Sequence, residues 1–254
     1  MRLFFLPLLV VALLLPGCRT VVKPSKADIA KQLQTRHGLP VDVIEVGSNY
    51  PNSGHKGKAR AGTPPVTFSF QYWDGKIRSS SYQWARLRHE ATEHHGAFID
   101  KSYGRDAVME AVPGFSNTIP EAGFPAYTEL LRDHPAQLDL VSRIYVFRDL
   151  DPARPELALQ GVADYMNELR ALGVGEMYVS IKLFDEAFFQ GKNLADYEFG
   201  FQTRTGSNFE GTVGYDNQRG AASYRLSSAS PPVTAKALLP GIRTDKVIPR
   251  SIRL

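Results

Sequence analysis

Val66, Phe68, Phe70 and Tyr72 alternate with Thr67, Ser69 and Gln71, the period of two that marks a strand with one buried face. Asp74-Gly75 follows, a pair that tolerates positive φ and so predicts a tight type I′ hairpin, with a return strand from Lys76 to about Ser80. A helix is expected from about Ser81, with Trp84, Leu87, Ala91 and Phe98 on one side. Ahead of the hairpin, Ser25-Lys26-Ala27-Asp28 has the form of a capping box with Asp in the Glu place. Ile29, Ala30 and Leu33 then keep helical spacing, and Gly38 stands where such a helix ends. Val41 to Val46 (VDVIEV) reads as a strand. Residues 47–65 hold four glycines, three prolines and no apolar period, which predicts a long exposed loop.

The second half has the same vocabulary. A short helix is expected between Gly104 and Pro113, an irregular stretch over residues 113–125 and a helical turn over Tyr127 to Leu131. Leu140 to Phe147 (LVSRIYVF) reads as a strand. Asp149 or Asp151 is placed to cap a helix, with Pro152 in its first turn. That helix carries Leu157, Val162, Tyr165, Met166, Leu169 and Leu172 before Gly173 closes it. Met177 to Phe184 is a strong strand, and shorter antiparallel strands are expected near 196–203, 209–215 and 221–226.

Phe68, Phe70, Gln71 and Gly75 recur at the same spacing as Phe199, Phe201, Gln202 and Gly206. Each copy follows a glycine-ended helix and one strand, so the chain reads either as two tandem helix–strand–hairpin units or as a chance recurrence. The fold class is α+β, a mainly antiparallel sheet with packed amphipathic helices. The expected organisation is a signal segment over 1–17, a tether over 18–24 and a first α+β unit over 25–112. An irregular connection over 113–138, a second α+β unit over 139–228 and a basic, proline-containing tail over 229–254 complete it.

The amino terminus changes the picture most. Met1-Arg2 precedes Leu3 to Leu15 (LFFLPLLVVALLL), apolar at every position except Pro7. Thirteen residues of helix reach only ~20 Å, short of a ~30 Å hydrocarbon core, so the segment reads as a signal core and not a spanning helix. Leu15-Pro16-Gly17-Cys18 follows directly, and Cys18 is the chain's one cysteine. This motif resembles the lipobox of bacterial lipoprotein precursors. The resemblance implies cleavage between Gly17 and Cys18 and acylation of Cys18, which becomes the anchor. Arg19 in place of Asp after the cysteine implies the outer membrane, with the domain facing the periplasm. An ordinary secretory signal with a coincidental cysteine is the alternative.

Composition then removes other classes. One cysteine excludes an intrachain disulfide and a cysteine-based zinc site. The 30 Lys and Arg against 26 Asp and Glu give a net +4, and the tail carries the whole excess in Lys236, Arg243, Lys246, Arg250 and Arg253 against Asp245. The near-neutral body and the export signal argue against a nucleic-acid partner.

His89-Glu90-Ala91-Thr92-Glu93-His94-His95 is the densest group of potential ligands, but its register fails the HExxH zinc motif. His94 sits five residues after His89, about 140° around the helix, so only the i,i+4 pairs His89–Glu93 and Glu90–His94 remain as weak metal candidates. Gly54-His55-Lys56-Gly57-Lys58 lacks the earlier glycine and the Ser/Thr of a phosphate loop. Lys56, Lys58 and Arg60 remain candidates for contact with an anion. Ser116 lacks the glycine frame of a nucleophile elbow. Trp73, at the hairpin tip and facing opposite to Tyr72, is a candidate partner contact. The expectation is a non-enzymatic, lipid-anchored envelope protein, a binding or assembly module with no cofactor and with an envelope protein or glycan as partner. The competing expectation is a lipid-anchored hydrolase or metal-dependent enzyme using His89 to His95.

Overall fold

The computed structural model describes residues 24–48, 54–115, 125–148, 151, 153–184 and 218–242. The chain divides into two compact units at Ser80/Ser81, each with its own four-stranded sheet. The fold is α+β, and among the described residues the strand pairing is antiparallel but for one pair. The dividing point differs from the expected 25–112 unit, because the helix after Ser81 and the strand that follows it belong with the second sheet.

In the first unit, α1 (Lys26–His37) precedes β1 (Val41–Ser48), β2 (His55–Ala61), β3 (Val66–Trp73) and β4 (Lys76–Ser80), which pair in sequence order. The Ser25 hydroxyl accepts the Asp28 N–H at 3.1 Å, and Gly38 closes the helix at φ +72° with its N–H on the Gln34 carbonyl. Both ends are therefore capped as the sequence suggests. Asp74 and Gly75 take φ +52° and +75°, the conformation a type I′ hairpin needs. Ile29 and Leu33 of α1 are buried, as are Val43, Ala59, Ala61, Val66, Phe68 and Phe70.

The expected loop over 47–65 is corrected by β2. Its inward residues are His55, Gly57, Ala59 and Ala61, alternating strictly with exposed Lys56, Lys58 and Arg60. The period is present but its apolar half is written in small residues, which hides it from a hydrophobicity pattern. Size is what the position demands: a Cβ on Gly57 would stand 2.3 Å from the Phe70 ring and 2.4 Å from the Glu45 carbonyl.

The second unit begins with α2 (Tyr82–Tyr103), followed by β5 (Ala107–Phe115), α3 (Tyr127–Asp133), β6 (Leu138–Phe147), α4 (Gln160–Ala171), β7 (Glu176–Phe184), β8 (Gln218–Ser227) and the short α5 (Ala235–Leu238). The sheet order is β5-β6-β7-β8, with β6 and β7 parallel. A parallel pair cannot be joined by a tight turn, and α4 supplies the crossover. One face packs Met109, Ala111, Leu140, Ile144, Val146, Met177, Val179, Ile181 and Leu183 against Leu87, Ala91 and Ile99 of α2 and Val162, Tyr165, Met166 and Leu169 of α4. β5 is an edge strand, and the Thr92 hydroxyl of α2 caps it, accepting the Ala111 N–H at 3.0 Å and donating to its carbonyl at 3.2 Å.

Several expectations change here. The Gly104 to Pro113 helix is a 3-10 turn over Gly104–Asp106 and then β5, since AVMEAV suits a buried strand as well as a helix. The expected connection over 113–138 contains the end of β5, α3, a second 3-10 turn (Pro135–Gln137) and the start of β6. α4 starts at Gln160, preceded by a 3-10 segment with Pro155 at its head, and Leu157 in that segment is exposed. Trp84 is half-exposed, whereas Tyr82 is the buried aromatic of that turn.

The tandem reading fails in topology. The strand after α1 is a sheet edge, whereas the strand after α4 is central and parallel to its neighbour. The second Phe-x-Phe-Gln copy, Phe199 to Gln202, and the strands expected at 196–203 and 209–215 lie outside the described residues, as do Gly17, Cys18, Ser116 and residues 243–254. The described part of the tail packs on the second unit. Asn167 donates to the Val233 carbonyl at 2.8 Å and accepts its N–H at 2.9 Å, which seats Ala235 and Leu238 in the core.

Candidate functional site

The histidine segment belongs to the second unit and the basic strand to the first, and the two differ in character. On α2, His89 Nε2 meets Glu93 Oε1 at 3.3 Å. His94 turns instead towards His95 and Tyr127, with ring centroids 4.9 and 6.0 Å away. Glu90 accepts the backbone N–H of Tyr127 at 2.7 Å, satisfying an open donor at the start of α3. Among the described residues no three His, Cys, Asp or Glu side chains converge in a way that could hold a metal ion.

His95, which sequence reading left without a role, is the centre of this region. It is 2% exposed, and its Nε2 lies 2.6 Å from the Tyr127 hydroxyl. Burial, with His94 alongside, pushes its pKa down from 6.5 to about 3, so the ring is neutral. Tyr165 bonds Ser142 at 2.7 Å in the middle of the core face, and burial pushes its hydroxyl and that of Tyr127 upward. Each of these hydroxyls is satisfied by a protein partner. The segment works as the seat on which α3 and α4 pack.

Sequence reading also missed a charged group on the opposite face of the second sheet. Glu110, 4% exposed, is gripped by Arg143 at 2.5 Å from the neighbouring strand and by Arg88 from α2. Beside it, Tyr145, Phe147 and Phe184 form a small buried cluster with Val108. The only trace of the pair in sequence is that Glu110 and Arg143 fall on cross-strand positions, which requires the register to be known first.

The remaining candidates meet on one surface. Lys56, Lys58 and Arg60 point outward from β2, opposite Gln71, Ser69 and Thr67 of β3. Trp73 lies two residues beyond Gln71 on the same face and is 50% exposed. Two of the three cations stand across from acids on β1: Lys58 pairs with Glu45 at 3.2 Å, and Arg60 is in register with Asp42. Lys56 faces Gly47 on one side and Gln71 on the other. Against the other side of this sheet lies α1, and among the described residues no helix of this unit lies on the polar face. Strand β2 is what brings the four residues together. The arrangement is a flat, hydrogen-bonding surface with a tryptophan at one end and carries no assembled acid, base and nucleophile.

At the other edge of this unit, Lys31, Gln32, Thr35 and Arg36 of α1 and Lys76 and Ile77 of β4 line an open depression of about 430 Å³. Gln32 ties helix to hairpin, donating to the Gly75 carbonyl at 2.9 Å and accepting the Ile77 N–H at 3.0 Å.

No protein-family model matches the chain, and no curated protein matches it in sequence. Among solved structures, it is similar to a DUF5037 family protein from Ruminococcus gnavus ATCC 29149, with 13% identity over 85% of this chain and 98% of that one and a TM-score of 0.49. No helix of the described residues is long and apolar enough to cross a membrane.

Proposed function

We propose that this chain is a lipid-anchored protein of the bacterial cell envelope, cut before Cys18 and held by acyl chains on that residue. It acts as a non-enzymatic binding or assembly module that faces the periplasm from the outer membrane. The observation that carries the reading is Leu15-Pro16-Gly17-Cys18 at the end of an apolar stretch broken only by Pro7, with the chain's sole cysteine in the acceptor place. More than one acyl chain anchors firmly, since each buried CH₂ contributes about 0.8 kcal/mol.

The binding surface in this reading is the polar face of the first sheet, with Lys56, Lys58, Arg60 and Trp73. Two features support it over the His89 to His95 segment: that segment is occupied in seating α3, and the sheet face combines an exposed large aromatic with donors on adjacent strands. Exposed tryptophans flanked by polar groups are common anchors of protein interfaces. The partner is an envelope protein or glycan. A photo-crosslinking residue placed at Gln71 in cells should capture a discrete partner, and one placed at exposed Ala97 of α2 should not. Equal and diffuse capture from both positions would overturn the assignment of the surface.

A further inference from the structure

We infer that the edge of the first unit formed by α1 and the β3–β4 hairpin docks on an anionic lipid bilayer, an inference that rests on the anchor reading above. Lys31, Arg36 and Lys76 surround one open depression, and none of the residues lining it is acidic. Neither Lys31 nor Lys76 has an ion pair among the described residues, and the one acid of the hairpin turn, Asp74, sits 3.7 Å from Arg78. Lys31 and Lys76, so placed, are complementary to a surface that supplies many negative groups.

Trp73 adds a second, independent feature. It is in register with Lys76 across the hairpin and half-exposed. An indole beside lysines suits the headgroup level of a bilayer, where its ring is apolar and its N–H meets water. The two side-chain bonds of Gln32 hold the hairpin to α1, so the basic groups of helix and strand keep a fixed spacing.

Chain length selects the bilayer as the occupant. Seven peptide units separate Cys18 from Ser25, the residue that caps α1, and they cannot span more than ~25 Å. The acylated residue and the basic edge thus hang from the same helix, and the anchor presents that edge to headgroups at high effective concentration. Each basic residue brought near anionic headgroups favours the docked state about five-fold, and salt weakens the effect.

The test uses the processed, full chain carrying Trp84→Phe, which leaves Trp73 as the only tryptophan of the two in the sequence. The protein is reconstituted into vesicles of bromine-labelled phosphatidylcholine, with and without phosphatidylglycerol. Trp73 fluorescence should be quenched when phosphatidylglycerol is present at low salt, and recover at high salt. Lys31→Glu with Lys76→Glu should shift the docking equilibrium by at least about 25-fold, and the milder Lys31→Gln with Lys76→Gln should fall between. Circular dichroism checks that the variants fold. Unquenched Trp73 in anionic vesicles overturns the docking, and so does equal quenching in neutral and anionic vesicles, since it assigns the contact to the ring alone. The mass of the amino-terminal peptide reads acylation separately. An acylated protein with unquenched Trp73 sinks the docking and keeps the anchor. An unacylated one sinks the anchor, while the dependence of quenching on phosphatidylglycerol still decides the docking, whether or not residues 1–17 are retained.

Discussion

Acid should weaken the second unit through one residue, His95. In the folded chain its pKa lies at about 3, against 6.5 for an ordinary histidine, because the ring is buried with His94 beside it. The folded state therefore binds the proton more weakly than the unfolded chain. The stability tied to the neutral ring is complete above pH 6.5 and is lost as pH falls from there towards about 3. The loss approaches 1.4 kcal/mol per pH unit, so moving from pH 7 to pH 5 should cost about 2 kcal/mol. For a unit of this size that corresponds to a fall of roughly 4–8 °C in melting temperature. The assay is hydrogen exchange in urea at pH 7 and pH 5, followed on peptides from residues 160–171, which report the core around Tyr165. His95→Gln should be less stable at pH 7 yet lose most of the pH dependence. An unchanged difference between pH 7 and pH 5 in His95→Gln would refute the assignment.

Gly57→Ala should destabilise the first unit by about 1–3 kcal/mol, since the Phe70 ring and the Glu45 carbonyl occupy the space for a Cβ; thermal melts of wild type and variant check it. Glu110→Gln should cost the second unit about 1–3 kcal/mol in urea unfolding, because partly exposed Arg143 and Arg88 lose the charge that both engage. Leu238→Ala should lower stability by about 2–4 kcal/mol, measured the same way, because that side chain is 2% exposed within the core cluster. A neutral result there would mean that the tail is a spacer.

Elements with a strong single-sequence signal were legible: both caps of α1, the Asp74-Gly75 turn, and β3, β4, β6 and β7 lie where the pattern puts them. Three kinds of feature were not. β2 builds its buried face from His55, Gly57, Ala59 and Ala61, so packing against Phe70 and not hydrophobicity decides it. β5 has a buried run short enough to suit either element, and the edge-capping Thr92 that selects the strand lies in α2. The tail lacks a long apolar period because four helical residues suffice once Asn167 holds Val233. The site residues followed the same rule. Trp73, Lys56, Lys58 and Arg60 could be named singly, but their sharing a face depends on the β2–β3 register. His95 and Glu110 draw their character from Tyr127, Arg88 and Arg143, all distant in sequence.

The central claim is the anchor, and metabolic labelling with a fatty-acid probe tests it most directly, comparing wild type with Cys18→Ser. A labelled, processed wild-type protein is expected in the membrane fraction, with an unlabelled Cys18→Ser chain that keeps its first seventeen residues. Equal labelling of both, or a wild type that carries no label and is released to the soluble fraction, would contradict it.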